Sequence, residues 1–354
     1  MTERAISLCV INHNGLRHLE HSLGAARQSR LRFGEVLLID NGSTDGSRAL
    51  VEHCYPEVRV IALGRNGGPG TARNSGFEAA RHDLILFVDN DVAIASDCAS
   101  LLDAALVSRP GALAAMPRVL YADRRDIIQY DGADCHFLGH MILRHSGLPV
   151  SKASSSPADA GSLVTACFMV DRAVWGTDPP FDPSFIFNNE DHDFGIRSKV
   201  LGHTLLVVPS ATCLHGSGTP GLSFRPGGQQ ADLRVYCLIR NRWRIILQCY
   251  SLRTLLLLSP ALMLFELFQL LGAIRKGWVR IWLRALGWVL THGRHTVARR
   301  REVQRARRTG DRAILRDGNI PFTPDLARGP VERAAYHILN RLTRGYWHLV
   351  EARL

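Results

Sequence analysis

Two acidic pairs, an arginine behind a glycine cluster and a late histidine are the residues whose types and spacing could do chemistry. Asp89-Asn90-Asp91 follows the apolar run Leu84–Val88. Along an extended chain residues 89 and 91 project to the same side, so two carboxylates converge at the end of a buried strand. Two hard oxygen ligands there suit Mg2+ or Mn2+ holding a diphosphate. An isolated D-x-D is more often a solvated turn, but the buried run before it and acids at other strand ends favour the metal. Glu190-Asp191 sits in Phe187-Asn188-Asn189-Glu190-Asp191-His192-Asp193-Phe194, at the start of a helical stretch through Arg197 and Leu201. Acids at a helix start are commonly caps. Here they follow an apolar turn (Phe181, Phe185, Ile186, Phe187), and a carboxylate held against such a wall can act as a general base. Arg73, near the start of the helix after Gly67-Gly68-Pro69-Gly70, can approach phosphate oxygens. That cluster is no dinucleotide fingerprint, since Arg73 takes the place of the third small residue and the cluster follows the third strand. His215, in Cys213-Leu214-His215-Gly216-Ser217-Gly218 after a short strand Leu205–Val208, is by itself more often a structural or surface residue than a ligand.

The elements that must position these groups alternate. Apolar runs Ile6–Ile11, Val36–Ile39, Val58–Leu63 and Leu84–Val88 are separated by stretches of helical spacing such as Leu16–Leu31 and Thr71–Arg81. Thr44-Asp45-Gly46-Ser47 supplies helix-start chemistry. Strands separated by helices predict right-handed βαβ units and a parallel sheet covered on both faces. Ligands bind beyond the carboxyl ends of such strands, and three of the four runs end in polar or acidic residues there. From about Ile94 to Gly221 the pattern is less regular, and Ser151–Gly161 reads as a surface loop.

Charge divides the chain. It holds 43 Lys+Arg against 32 Asp+Glu, for +11, but residues 240–354 alone carry 22 basic and 7 acidic residues, leaving −4 on the rest. A mildly acidic body with a basic tail excludes a uniformly basic nucleic-acid binder. No nucleic-acid module or aromatic platform accompanies the arginines. Eight cysteines contain no C-x-x-C pair, which argues against a zinc ribbon and fits reduced thiols in the cytosol. The apolar run near the start is too short for a signal peptide, so no export signal is expected.

The ordered set VINHNG, IDNGSTDGS, NGGPGTARNSG, FVDND, NNEDHDFGIR and CLHGSG resembles the family 2 glycosyltransferases with a GT-A nucleotide-sugar fold, most closely a rhamnosyltransferase-like bacterial branch. The resemblance covers roughly residues 5–220. It implies an α/β fold with a mostly parallel central sheet, and inverting transfer of a sugar from a nucleotide-diphosphate donor. It assigns Asp40 to the nucleobase beside Asn12 and Asn14, and Arg73 to the donor diphosphate or base pocket. Asp89 falls to the donor ribose or sugar and to the metal site, Asp91 and His215 to Mg2+ or Mn2+, Glu190 to the donor side, and Asp191 to the base. Three departures, at Thr165-Ala166-Cys167, Gly176–Asp182 and His192, fall on the acceptor side. The expected organisation is a catalytic domain over 1–225 (nucleotide-sugar half 1–92, acceptor half 93–225) and a basic amphipathic helical region over 226–354.

In that last region the charge-free stretch Thr254–Phe265 is below the ~18–20 residues of a confident membrane span, so a span is disfavoured. Trp278, Ile281, Trp282, Ala285, Leu286 and Val289 recur at helical spacing like an interfacial helix. The following Arg299, Arg300, Arg301, Arg305, Arg307 and Arg308 predict attraction to anionic lipid. The sequence thus leads to a peripheral or monotopic enzyme on the cytoplasmic face of the plasma membrane. Its expected partners are a nucleotide-sugar donor (dTDP-rhamnose or a UDP-sugar), a lipid-linked or other envelope glycan acceptor and an anionic membrane surface, without nucleic acid. Its rivals are a sugar-phosphate nucleotidyltransferase, whose phosphate loop after the first strand is missing here, and a non-catalytic glycan- or lipid-binding relative.

Overall fold

The computed structural model describes residues 4–216, 232–321 and 329–354. Ser217 and Gly218 of the last motif, and the expected boundary at 225/226, lie outside the described residues. The chain forms two compact units, one of residues 4–133, 143–198 and 203–216, the other of 134–142, 199–202 and the described residues from 232 onward.

The first unit begins with β1 (Ile6–Asn12), α1 (Leu16–Arg27), β2 (Glu35–Asp40), α2 (Ser47–Cys54), β3 (Val58–Ala62), α3 (Pro69–Ala79) and β4 (Leu84–Asp89). A short β5 (Val92–Ile94), α4 (Cys98–Ser108), β6 (Ala112–Tyr121) and β7 (Ile128–Tyr130) follow. Strands β8 (Ala133–His136) and β9 (Met141–Leu143), which lie almost wholly in the second unit, then lead to β10 (Ala158–Asp159), β11 (Cys167–Asp171), α5 (Arg172–Trp175), α6 (Glu190–Val200) and β12 (Thr204–His215). The main sheet has the order β10-β12-β6-β11-β4-β1-β2-β3. Strands β3, β2, β1 and β4 are parallel, as the alternation of runs predicts, while β11 inserts antiparallel between β4 and β6.

Why both faces are apolar is visible along β1 and β4. Ile6, Leu8 and Val10 join Leu84, Leu86 and Val88 in one core, and Cys9 and Ile11 join Ile85 and Phe87 in the other. Side chains alternate across a strand, so a continuous apolar run fills two cores at once. Register then sets the site: Asn12 pairs with Asp40, and Ile11 with Asp89, so the polar strand ends share one edge.

Three expectations change in detail. Helix α1 stops at Arg27 rather than Leu31, because the Arg30 amide is taken by the Ser96 carbonyl at 2.7 Å and Leu31 turns into the core. The strand before His215 is not short; β12 runs to His215 through an irregularity between Val208 and Thr212. The stretch 151–161 is not wholly loop, since β10 adds an edge strand to β12.

The second unit holds α7 (Asp232–Cys249), α8 (Leu252–Lys276), α9 (Val279–Thr291), α10 (Gly293–Arg305), α11 (Asp311–Ile314), β13 (Leu315–Arg316) and α12 (Pro330–Val350). Strand β13 pairs with β8. Helix α8 continues through Pro260 as one apolar helix of 25 residues, longer than the sequence reading allowed. The expected interfacial helix, α9, buries Ala285 and Val289. The arginine run is partly structural too. Arg300 donates to the Leu247 and Tyr250 carbonyls and Arg307 to the Cys249 carbonyl, satisfying the end of α7. On α7 itself Arg240, Arg242 and Arg244 are buried, Arg240 and Arg244 against Trp288.

Candidate active site

The ends of β1, β2 and β4 are stitched by one amide. Asn12 Nδ2 donates to Asp40 Oδ1 at 3.1 Å, Ser43 Oγ at 3.1 Å and Ser47 Oγ at 2.9 Å, and its Oδ1 accepts from Asn90 Nδ2 at 2.8 Å. Asn12 is therefore fully engaged within the protein, and it fixes the orientation of the buried Asp40. Asn14, in the left-handed region at φ 51°, braces the 43–44 turn: its backbone amide donates to Ser43 Oγ and its Oδ1 accepts from the Thr44 amide.

Arg73 lies beneath this edge, 2% exposed. Its Nη2 donates to Asp89 Oδ1 at 2.7 Å and to the Thr165 carbonyl at 3.1 Å, and its Nη1 reaches Glu190 Oε1 at 3.4 Å. One guanidinium thus links α3, β4, the segment before β11 and the start of α6. The approach depends on glycine. Gly68 has φ +87° and its missing Cβ would stand 2.1 Å from the Ile186 carbonyl oxygen.

The start of α6 is shaped by Asn188 and Asn189, both left-handed at φ 57° and 64°. Asparagine tolerates that conformation better than most residues. Gly195 lets the helix press onto the chain at Leu163, where a Cβ would meet the backbone nitrogen at 2.4 Å. Glu190 is buried with its Oε2 unpartnered, and Asp191 is half-buried beside it. Burial raises the carboxyl pKa of Glu190, with the neighbouring Asp191 adding and Arg73 opposing. Burial also raises Asp191, against the His192 amide and Arg73, while Asp89 adds to the rise. His192 is fully buried on Ser162 Oγ at 2.8 Å, and burial pushes it down to about 3, so it is a neutral packing residue.

Asp91 and His215 meet, with His215 Nε2 3.4 Å from Asp91 Oδ1. Burial works to raise the Asp91 carboxyl, but the bond and charge of His215, with His18, hold it below its ordinary value. On its other side His215 Nδ1 donates to Gln129 Oε1 at 2.6 Å. Among the described residues no three His, Cys, Asp or Glu side chains form a ready ligand set. Asp89, expected as a third ligand, is turned to Arg73. Among the described residues Asp91 and His215 offer a cation one carboxylate and one imidazole nitrogen. That oxygen-plus-nitrogen pair fits Mn2+ or Mg2+ when phosphate oxygens and water complete the shell.

Several neighbours carried no sequence signal. Gln129 sits mid-strand, 86 positions from its histidine. Tyr130 brings a buried, unpartnered hydroxyl within electrostatic reach of Asp89 and Asp191. His18 acts on Asp91 from α1. Only the sheet register, not local spacing, reveals Gln129 and Tyr130.

A mixed sheet with polar strand ends, a D-x-D turn and an acid pair opening a helix defines a GT-A nucleotide-sugar glycosyltransferase. The chain belongs to glycosyl transferase family 2, whose description matches residues 7–144. It is 32% identical over 219 residues to the N-acetylglucosaminyl-diphospho-decaprenol L-rhamnosyltransferase of Mycobacterium tuberculosis, covering 56% of this chain and 71% of the relative. S. aureus TarS 1-349 in complex with UDP-GlcNAc has a similar fold, with a TM-score of 0.52 at 16% identity, covering 98% of this chain and 92% of that one. GalNAc-T7 with UDP, GalNAc and Mn2+ gives 0.52 at 17% identity, over 69% of this chain and about half, 51%, of its own.

Proposed function

We propose that this glycosyltransferase is metal-dependent and inverting, and moves a sugar to a lipid-linked glycan acceptor at the cytoplasmic membrane face. A nucleotide-activated rhamnose (dTDP-rhamnose) is the leading donor and a UDP-sugar the runner-up. The mycobacterial relative named as a rhamnosyltransferase of a diphospho-decaprenol glycan supports donor and acceptor class. The observation that carries the mechanism is Asp191 at the start of α6, its carboxyl raised by burial within reach of the Arg73–Asp89 pair.

In this reading Asp191 takes the proton of the acceptor hydroxyl while that oxygen attacks C1 of the donor sugar. The C1–O bond to the diphosphate breaks from the opposite face, and the nucleoside diphosphate leaves. A raised carboxyl is a better proton acceptor, so it suits a base. Asp40, oriented by Asn12 with Asn14 bracing the turn, meets the nucleobase; Asp89 meets the ribose or sugar. Arg73, with Glu190, stiffens the donor floor and keeps Asp89 in place. Asp91 and His215 would hold Mg2+ or Mn2+, which neutralises charge on the leaving diphosphate when bound. Gln129 is a positioning residue: by accepting the Nδ1 proton it leaves His215 Nε2 to face Asp91, the arrangement a metal-binding imidazole needs.

The test is a nucleotide-sugar panel with membrane lipid extract as acceptor, scoring which nucleoside diphosphate is released with and without a chelator. Acceptor-dependent release that stops on chelation supports the proposal. Release that survives exhaustive chelation removes the metal, and pyrophosphate release from a nucleoside triphosphate and a sugar phosphate would favour the nucleotidyltransferase instead.

A further inference from the structure

By length and composition α8 could cross a bilayer, with a mean hydropathy of 1.9 over its apolar stretch. Its fastenings within the second unit argue for another placement. Midway, Glu266 accepts from the Trp243 indole at 2.9 Å and from Arg242, whose other amino group holds the Leu138 carbonyl at 2.8 Å. Near its start, the Leu257 carbonyl accepts from Tyr346 of α12 at 2.7 Å; near its end, Arg275 donates to Glu332 of α12 at 2.6 Å. The start of α8 thus meets the end of α12, and its end meets the start of α12. The two helices run antiparallel along their length. Thr254, Leu258, Ala261 and Phe265 are buried on the flank of α8 that faces away from solvent. A helix pinned on one flank by arginine, tryptophan and glutamate cannot be ringed by hydrocarbon at its middle.

The opposite flank is bare. Leu252, Leu256, Met263, Leu267, Leu271 and Ile274 are each more than half exposed and recur at helical spacing. On α12, Val331, Ile338, Leu342 and Leu349 do the same, at 74%, 55%, 52% and 72% exposure, while Leu339, Thr343 and Trp347 of that helix are buried. An apolar face of this extent on two adjacent helices marks an interaction surface. Exposed Arg253, Lys276 and Arg341 accompany it.

We propose that α8 and α12 form a two-helix layer that lies flat in the headgroup region of an anionic bilayer, their bare apolar stripes inserted and their basic residues on lipid phosphates. The layer is monotopic and does not span. A second copy of the chain fits less well, because a two-fold contact would set these cations near their own copies, whereas anionic headgroups complement them. The seat differs from the stretch singled out by spacing, since α9 buries Ala285 and Val289 and Arg300 and Arg307 cap α7. The inference rests on the membrane-acceptor reading above, but it is tested by binding without turnover, so failure of either is seen separately.

The test uses the full chain and sedimentation with vesicles of phosphatidylcholine alone or with a third phosphatidylglycerol. Ile338→Asp/Leu342→Asp and Leu267→Asp/Leu271→Asp, both at exposed positions, should each lower partitioning to the anionic vesicles by about 100-fold. Leu290→Asp on α9 should lower it less than threefold, with circular dichroism and donor-dependent activity in detergent unchanged in all three. In sealed inverted membrane vesicles from expressing cells, Arg253→Cys and Lys276→Cys in a Cys54→Ser background should both react with an impermeant maleimide. Full binding by the α12 variant, or a stable dimer that the α12 variant abolishes without any vesicle binding, overturns the lipid seat. Protection of one cysteine and not the other overturns the flat placement in favour of a span.

Discussion

Replacing Arg73 by Met should cost stability to an extent that depends on pH. The guanidinium is 2% exposed and holds Asp89, Glu190 and the Thr165 carbonyl. Met roughly keeps the length of the chain, so the substitution chiefly removes charge. Taking one partner from a buried ion pair costs about 3–5 kcal/mol, because the remaining charge is left uncompensated. Asp89 is 30% exposed and can rehydrate, so Glu190, at 7%, sets most of the penalty, and the low end, ~3 kcal/mol, is the expectation in alkaline solution, above the value of about 8 to which burial raises the Glu190 carboxyl. Glu190 has an escape. Its carboxyl is already raised by burial and by Asp191, and without the opposing guanidinium it rises further. Each pH unit between the two values is worth at most ~1.4 kcal/mol per proton, so the deficit should fall to about 1 kcal/mol by neutral pH, below the value of about 8, where Glu190 is protonated with or without Arg73. Urea midpoints of wild type, Arg73→Met, Glu190→Gln and the double variant at two pH values measure this. The double variant should recover about 2 kcal/mol at the higher pH. An equal deficit at both pH values, or no recovery, would refute charge compensation as what Arg73 supplies.

Gln129→Leu should weaken Mn2+ binding by about 10–100-fold, read by the electron paramagnetic signal of free Mn2+, with Gln129→Glu retaining most of the affinity; equal affinity for all three contradicts the positioning role. The acid limb of activity should lie above the ordinary carboxylate range of about 4, since Asp191 is raised and must be ionised to act. Stability has an acid limit from His192: its folded value of about 3 is below the unfolded ~6.5, so stability is intact above ~6.5 and declines as pH falls toward 3, and His192→Asn should flatten that slope in thermal melts. Gly68→Ala should destabilise by about 2 kcal/mol or more, through its positive φ and the Ile186 carbonyl, as urea unfolding will show.

What could be read from the sequence follows how locally each feature is encoded. Strands β1 to β4 and the acids that end them are local patterns, apolar runs closed by polar residues, and the parallel register then lines up Asn12, Asp40 and Asp89. Residues whose place depends on distant pairing were not legible. Gln129 meets His215 only because β7 and β12 both pair with β6. Asn12 stands at a legible strand end, but its bonds to Asp40, Ser43, Ser47 and Asn90 depend on segments far along the chain. The same holds in the second unit, where a run of arginines gives no hint that Arg300 and Arg307 satisfy helix carbonyls or that Arg242 is buried on Glu266. Charge counts are additive along a chain, but burial is decided by packing.

The measurement that bears most directly on the proposed chemistry is nucleoside diphosphate release by wild type and Asp191→Asn, with the donor that wild type turns over and lipid-linked acceptor present. The substitution keeps the side chain's size and removes its basicity. Loss of a positioned base is worth about 10²–10⁴-fold in rate. A kcat lowered by that amount, with donor binding and the melting temperature preserved, is the expected result. A folded Asp191→Asn protein that transfers at the wild-type rate would contradict the assignment of the base and with it the mechanism proposed for this site.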